Sequence, residues 1–120
     1  MHELEMLSQL SHPNLVSYFG YSIHKNEFYL VTEYMSLGSL KDLVKSIPQG
    51  LHEKAIFHVV LSVANGLSYL HSCSVFHKDI TTSNVLVSGE RYSFRHWNVK
   101  LSDLGISETS SSPVTPLTFS

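Results

Sequence analysis

Apolar positions along this 120-residue chain follow two periods, one typical of strands and one typical of helices. Two runs of apolar, aromatic and β-branched residues, 15–22 and 28–32, flank the polar residues 24–27 and predict a β-hairpin. Segments 40–47 and 53–71 show apolar positions at helical spacing. The second of these helices is apolar around most of its circumference, so we expect it to be buried on several sides.

The same patterns predict the remaining elements. Residues 3–10 carry a leucine at every third position and predict the end of a helix. This helix should stop at the Ser-His-Pro-Asn sequence of residues 11–14, because proline disfavours a helical residue before it. Short strands are predicted at 85–87 and 99–102, with a loop or a hairpin over 88–98 between them.

Composition limits the class of protein. A length of 120 residues allows one domain at most, and 42% hydrophobic residues with a net charge of -2 indicate a globular chain without a basic surface for nucleic acid. No apolar run reaches membrane-spanning length, and the first residues lack the features of a signal peptide. The single Cys73 excludes an internal disulfide and favours a reduced, cytoplasmic location, although a parent protein could be attached to a membrane through residues outside this chain.

Three short polar side chains stand out because each is flanked by apolar, strand-like residues. These are Asp79, Asn84 and Asp103, in a chain with only 15% charged residues. Their oxygen atoms could accept a proton or hold magnesium, which is what a phosphoryl-transfer site requires. Taken singly, each could equally be a turn residue between two strands.

The order and spacing of these residues resemble the protein kinase family. Residues 77–84 read His-Lys-Asp-Ile-Thr-Thr-Ser-Asn and residues 103–105 read Asp-Leu-Gly, close to the catalytic loop His-Arg-Asp-Leu-x-x-x-Asn and the later Asp-Phe-Gly of kinases. The resemblance extends over residues 3–107, nearly the whole chain.

The resemblance implies an α+β chain that forms part of the two-lobed kinase fold. Residues 1–32 would be a remnant of the small lobe, 33–39 the hinge, and 40–106 the helices and catalytic loop of the large lobe. Residues 107–120, rich in Ser, Thr and Pro, would be the start of the activation loop and are expected to be flexible. In kinases a second long helix covers the helix corresponding to 53–71 and would follow residue 120, so this chain alone is not expected to bury that helix.

The resemblance also assigns catalytic roles. Asp79 would be the catalytic base, with Lys78 and Asn84 beside it in the catalytic loop, and Asn84 and Asp103 would be the magnesium ligands. The cofactors would be ATP and Mg²⁺, and the substrate a Ser, Thr or Tyr hydroxyl of a protein. The hinge and residues 84–87 favour the tyrosine kinase or tyrosine-kinase-like branch, and hence a role in signal transduction.

Nucleotide-binding residues follow in the same way. Thr32 would be the gatekeeper, Glu33 and Met35 would bind adenine through their backbone, and Leu86 would form the floor of the adenine pocket. Glu3 would pair with a strand lysine in the small lobe. Plainer interpretations remain open, since Glu3 could be a surface residue near a helix start, Leu86 a core residue, and the hinge an edge strand with a Gly-Ser turn.

Several positions depart from the kinase pattern. Lys78 replaces the usual Arg and loses its bidentate fork, which puts regulation by a phosphorylated loop in doubt. Leu104 keeps the apolar character of the usual Phe, and residues 81–83 match neither the Ser/Thr nor the Tyr kinase pattern. Residues 88–98, rich in aromatic and basic side chains, are longer than usual; a solvated insertion explains them better than a nucleic-acid site.

Two functional hypotheses remain. The first is an ATP-dependent protein kinase, of which these residues supply the hinge and the catalytic centre. The second is a non-catalytic, pseudokinase-like or truncated scaffold, since the sequence contains neither a Gly-rich loop nor a Val-Ala-Ile-Lys strand. We therefore expect the isolated chain to bind Mg-ATP weakly if at all and to be inactive by itself. A fragment without a function of its own is a third possibility.

Overall fold

The computed structural model describes residues 9–75 and 80–102, and the backbone of residues 114–119. In chain order the described elements are β1 (Tyr18–His24), β2 (Glu27–Glu33), β3 (Gly38–Ser39), α1 (Leu40–Lys45), α2 (Glu53–Ser72), β4 (Val85–Ser88), a short 3-10 helix (Phe94–His96), β5 (Asn98–Leu101) and β6 (Val114–Phe119). The described strands form two three-stranded sheets, β1-β2-β6 and β3-β4-β5. Helices combined with mainly antiparallel sheets confirm the predicted α+β class.

Strands β1 and β2 form the predicted hairpin. Lys25 and Asn26, at its tip, have φ angles of 50° and 66°, and a two-residue turn of type I′ needs positive φ at both positions. The first strand begins at Tyr18 instead of residue 15, because Leu15 leaves this sheet and bridges to Leu101 in the second one. Leu15 is thereby only 3% exposed.

Strand β6 covers the second edge of β2. The two strands are parallel, with Phe28 opposite Val114 and Glu33 opposite Phe119. The sequence predicts a flexible segment over residues 107–120, and within it the structure describes this strand at 114–119. An uncovered β2 would leave a row of backbone N–H and C=O groups open, and pairing with β6 satisfies them. The rest of that segment lies outside the described residues.

The main core lies between the second sheet and the two helices. In β4 and β5 alternate residues, such as Val87 and Leu101, are almost fully buried against Leu43 of α1 and Leu70 of α2. Burying a side chain of this size stabilises the folded state by about 1.5–3 kcal/mol. The period-two pattern of the strands therefore fixes which face of the second sheet is the core face.

Helix α2 buries only one side. Its apolar pattern requires burial on several sides, which the sequence does not expect this chain to provide, and Ile56, Phe57, Val60 and Leu61 are 48–68% exposed. Its polar residue Ser62 is instead buried and donates a hydrogen bond to the carbonyl of His58 at 2.8 Å. The prediction that this chain does not bury its most apolar helix is confirmed, because the described elements pack against a single face.

The turn after residue 11 fastens the hairpin side of the molecule to the core. The Asn14 side chain donates to the carbonyl of Val99 at 2.9 Å, and the Asn14 carbonyl accepts the N–H of Leu101 at 2.8 Å. Helix α2 approaches this turn at Gly66, where a Cβ atom would lie 3.0 Å from the Asn14 oxygen. The proline-containing turn thus holds β5 and α2 close together.

Candidate active site

The residues that the sequence singles out fall into two groups. Those in the described part of the chain are Thr32, Glu33, Met35, Asn84 and Leu86. Those outside the described residues are Glu3, Lys78, Asp79 and Asp103. The structure therefore describes the hinge, the predicted adenine floor and one predicted metal ligand.

The predicted hinge connects the two sheets. Thr32 and Glu33 end β2 in the first sheet, and Gly38 begins β3 in the second. Between them, Met35 is only 4% exposed, and its carbonyl accepts the N–H of Gly38 at 3.0 Å. Within the described residues, the Met35 N–H has no hydrogen-bond partner. That N–H is the donor to which the sequence assigns the adenine ring, and this role stays a prediction.

A bond to strand β4 holds this hinge in place. The N–H of Leu37 donates to the carbonyl of Val87 at 2.9 Å, and the β3–β4 ladder continues the pairing with Gly38 opposite Val87. The chain leaving β2 is thus fixed beside the strand that carries Leu86. These segments lie about fifty residues apart in the sequence, and the tertiary fold makes them neighbours.

Glu33 forms an ion pair that no sequence pattern indicates. The Nζ of Lys100, in β5, lies 2.8 and 3.0 Å from the two carboxylate oxygens, and both side chains are largely buried. The N–H of Ser17 donates to the same carboxylate at 2.7 Å. Burial by itself raises the pKa of Glu33, but the hydrogen bonds from Lys100 and Ser17 outweigh it, and the pKa is lowered below the ordinary 4.5.

Lys100 could have been noticed in the sequence. It is a single charge between Val99 and Leu101, which are buried in β5. Alternation places Lys100 on the face opposite to the core. A lone charge on that face of a short strand is a signal that the face meets a carboxylate or a ligand, although its partner could not be identified from spacing.

Leu86 lies on the same face as this ion pair. It is the cross-strand partner of Lys100 in the β4–β5 ladder and of Ser39 in the β3–β4 ladder. Val85 and Val87 on either side of it point into the core, whereas Leu86 is half-buried. The tertiary fold therefore brings the predicted adenine floor to the side of the second sheet where the hinge residue Glu33 is bound.

The predicted metal ligand Asn84 lies at one end of the β4–β5 strand pair. Asn84 immediately precedes β4, and its carbonyl accepts hydrogen bonds from the N–H and hydroxyl of Ser102, at 2.9 and 3.1 Å. Ser102 follows β5 and is joined covalently to Asp103. Asn84 is thus bonded to the residue that immediately precedes Asp103 in the sequence. Asp103 itself lies outside the described residues.

The described part of the chain contains neither a preformed metal cluster nor a membrane-spanning helix. No group of three or more His, Cys, Asp or Glu side chains gathers there around a common point. No helix in the same ranges is both long and apolar enough to cross a membrane. Asn84 is therefore the one predicted metal ligand whose surroundings the structure describes.

Comparison with known proteins identifies the family. Residues 1–115 match the family model described as protein tyrosine and serine/threonine kinase. The chain is 36% identical over 108 residues to the human dual specificity testis-specific protein kinase 1, covering 90% of this chain and 17% of that protein. It is 35% identical to the serine/threonine-protein kinase pakF of Dictyostelium discoideum, covering 88% of this chain and 8% of that protein.

These matches agree with the architecture of the chain. The chain spans less than a fifth of the length of these curated relatives. Within that span it has the mixed helices and sheets of a partial kinase fold, and the matched region includes the residues predicted to form the hinge and the catalytic loop. The chain belongs to the protein tyrosine and serine/threonine kinase family.

Proposed function

We propose that this chain supplies the hinge and the catalytic-loop residues of an ATP- and magnesium-dependent protein kinase. The observation that carries the proposal is the bonding of Asn84 to Ser102, which fixes one predicted metal ligand beside the residue preceding the other. Amide and carboxylate oxygens are the ligands that magnesium prefers. The residues present therefore fit the metal that the family uses.

The hinge supports the nucleotide part of the proposal. The Met35 N–H would donate to the adenine ring, and the half-buried Leu86 would pack against one face of that ring. Glu33 would contribute mainly through its side chain, whose bond to Lys100 ties the end of β2 to β5. Thr32, which is half-buried at the end of β2, would limit the depth of the pocket.

The catalytic residues would act on the protein substrate. Bound Mg-ATP supplies the phosphoryl group and neutralises its charge. Asp79 would accept the proton of the substrate hydroxyl, while Asn84 and Asp103 would hold the metal with their side-chain oxygens. Lys78 would retain a positive charge beside Asp79, without the bidentate geometry of an arginine. Glu3 would pair with the phosphate-binding strand lysine of the kinase fold, a strand that is not among these 120 residues.

The acceptor residue is a finer question within the same proposal. The hinge and residues 84–87 favour the tyrosine or tyrosine-kinase-like branch, and the two relatives carry the names dual specificity and serine/threonine kinase. We propose a protein hydroxyl of Ser, Thr or Tyr as the acceptor. Acid hydrolysis of a phosphorylated product, followed by separation of the three phosphoamino acids, distinguishes these acceptors directly.

Thermal unfolding of the 120-residue chain with and without millimolar Mg-ATP tests the proposal. Ligand that binds only the folded state raises its stability by mass action, by about 1.4 kcal/mol at ten times the dissociation constant. Because we expect the isolated chain to bind Mg-ATP weakly, the rise in Tm should be small, and Asp103→Asn should abolish it because the metal then loses a carboxylate. Asp42→Asn, which removes an exposed carboxylate from α1, is the matched control and should keep the rise.

Two other results would count against the proposal. A cooperative transition that Mg-ATP does not move would favour a non-catalytic scaffold over a nucleotide-binding module. A rise that survives in Asp103→Asn would contradict the assignment of Asp103 as a metal ligand.

A further inference from the structure

A cavity of about 390 Å³ lies away from the hinge and the metal-ligand positions, between the end of α1, the start of α2 and the loop of residues 89–97. Its inner wall is apolar, since Ile47, Ala55 and Trp97 are at most 8% exposed. None of the residues predicted to bind nucleotide or metal lines it. Part of its wall comes from residues 88–98, the segment that the sequence predicts to be a solvated insertion.

Most of that segment is exposed, as a solvated insertion would be, but one of its residues is buried. Trp97 is 5% exposed, and its indole N–H donates to the carbonyl of Glu90 at 2.7 Å. The ring of Phe94 stands edge-on to Trp97 and nearly parallel to His52, with centroids 6.5 and 6.3 Å apart. An indole ring buries a large apolar area once its N–H is bonded, which explains why the segment folds back onto α2.

The wall of this cavity is also preformed. Gly89 has a φ of 122°, and a Cβ atom there would overlap the carbonyl oxygen of His96. The two ends of the loop therefore touch closely. The N–H of His96 donates to the carbonyl of Ser93 at 2.9 Å, which adds a second internal bond. A preorganised pocket loses little conformational entropy on binding.

The residues that line the cavity include a cation but no carboxylate. They include the guanidinium of Arg91, and no Asp or Glu is among the lining residues. The Nη1 of Arg91 donates to the hydroxyl of Ser46, and within the described residues no carboxylate lies within ion-pair distance of Arg91. Glu90, its neighbour in the chain, lies 3.7 Å from His96 instead. The described carboxylates therefore leave the charge of Arg91 without a counter-charge.

His52 adds a second donor. Its Nδ1 accepts the N–H of Lys54 at 3.0 Å, as the N-cap of α2. An imidazole nitrogen that accepts a hydrogen bond carries no proton, so in the neutral ring the proton is on Nε2. The lining residues thus combine apolar side chains with a cation and an imidazole N–H donor, a combination complementary to an apolar group that bears carboxylates.

We propose that this cavity is a docking site for a short acidic segment of a partner protein, with an aromatic side chain inserted among Ile47, Phe94 and Trp97 and carboxylates bound by Arg91. The opening faces solvent, and Tyr92 at its rim is 77% exposed. The exposed ring of Tyr92 beside the opening provides an apolar surface for the peptide residues that follow the inserted aromatic side chain. Charge complementarity with Arg91 selects an acidic flank over a basic one.

The only tryptophan of the chain reports binding directly, because Trp97 lines the cavity. We expect the blocked peptide acetyl-Asp-Glu-Phe-Asp-Gly-amide to change the fluorescence of the 120-residue chain in a saturable way. The same peptide with Ala in place of Phe, and one with Asn and Gln in place of its acidic residues, should each bind about tenfold more weakly or worse. This assay needs no nucleotide, so it is independent of the proposed kinase activity.

Variants of one loop identify the cation. Arg91→Gln should weaken binding of the acidic peptide about tenfold, while Arg91→Lys keeps the charge and should retain most of the affinity. Arg95→Gln removes a cation from the same loop that stacks on Phe94 without lining the cavity, and should change the affinity less than about threefold. Tm of each variant, measured in parallel, separates a loss of binding from a loss of folding.

Three results would overturn the proposal. One is an emission maximum typical of water-exposed indole in the free chain, because the cavity would then not be formed. Another is equal binding by the chain and by Arg91→Gln. The third is binding of phenylpropionate as tightly as the peptide, which would assign the cavity to small carboxylates instead of a protein segment.

Discussion

Lys100 is one of the residues that connect the predicted hinge to the second sheet. Its Nζ bonds both carboxylate oxygens of Glu33 across 67 residues of sequence, and Leu86 lies beside it on the neighbouring strand. Removing one partner of a largely buried pair leaves the other without compensation, which costs more than the pair contributes. Residues 33 and 100 therefore act as one structural unit.

Lys100→Met should lower the free energy of unfolding by about 1–3 kcal/mol, because Glu33 then keeps only the bond from Ser17. Urea unfolding at neutral pH measures this change. Lys41→Met, which removes an exposed charge from α1, is the control and should change stability by less than about 0.5 kcal/mol. Equal effects of the two substitutions would contradict the role assigned to the ion pair.

The same pair predicts a pH dependence. Since the pKa of Glu33 is lower in the folded state than its ordinary 4.5, the unfolded chain binds the proton first as pH falls. The contribution of Glu33 to stability is thus complete above pH 4.5 and is lost as the pH falls towards and through the folded-state pKa. Below pH 4.5, Lys100→Met should lose stability less steeply than the parent chain, as measured by Tm against pH.

Gly89 is a second residue with a specific steric role. Its φ of 122° and the overlap of any Cβ atom with the His96 oxygen leave no space for a side chain. Gly89→Ala should cost about 2–4 kcal/mol and red-shift the emission of Trp97 as the loop opens. Gly50→Ala, at a φ of 78° with open space around it, should cost only about 1 kcal/mol. A smaller loss at Gly89 than at Gly50 would show that the loop adjusts freely.

At the scale of elements, α2 has polar side chains on its inner side and several apolar side chains exposed on its outer side. His58 and Ser62 face inward, where the His58 Nε2 lies 3.0 Å from the carbonyl of Trp97. Apolar side chains such as Phe57 and Val60 face outward. The helix is therefore positioned by a hydrogen bond to the loop of residues 89–97 as well as by its apolar residues.

Two leucines of α2 test which face is the core face. Leu70→Ala, at a fully buried position, should cost about 2–5 kcal/mol, whereas Leu61→Ala, at a position 48% exposed, should cost less than about 1 kcal/mol. The chemical change and the helix are the same in both variants, so only burial differs. Comparable losses in urea unfolding would mean that the outer face is covered in solution.

At the scale of the whole molecule, contacts within the described part of the chain hold the two sheets together. The hinge, the Asn14 turn and the Glu33–Lys100 pair link the hairpin side to the core. The first sheet is completed by β6, which is distant in sequence from β2 but pairs along nearly the whole length of that strand. Its pairing closes an edge that would otherwise be open to other chains.

Removing residues 114–120 should therefore increase association through the exposed edge of β2, whose sequence includes Phe28, Leu30 and Val31. Thioflavin T fluorescence over time, at equal concentrations of the truncated and the complete chain, measures this tendency. Removal of Ser120 alone, which leaves β6 intact, should have no effect. If both truncations behave like the complete chain, β6 does not protect β2.

Local patterns predicted much of this protein correctly. Apolar periodicity indicated both helices, the hairpin and strands β4 and β5 within a few residues, and motif spacing indicated the kinase family that the comparisons confirm. These features depend on residues close together in the chain. The roles of Asp79, Asn84 and Asp103 stay predictions of that motif, and the structure adds the contact between Asn84 and Ser102.

Other features were decided only when distant segments met. The pairing of Glu33 with Lys100, the inward polar side of α2, the packed loop around Trp97 and the parallel strand β6 all depend on contacts between separate segments of the chain. Periodicity within a segment determines which residues share a face, but it contains no information on which other segment will cover that face. Local sequence patterns thus determined the elements and the family. Burial and hydrogen bonding between distant segments decided which elements pack against each other.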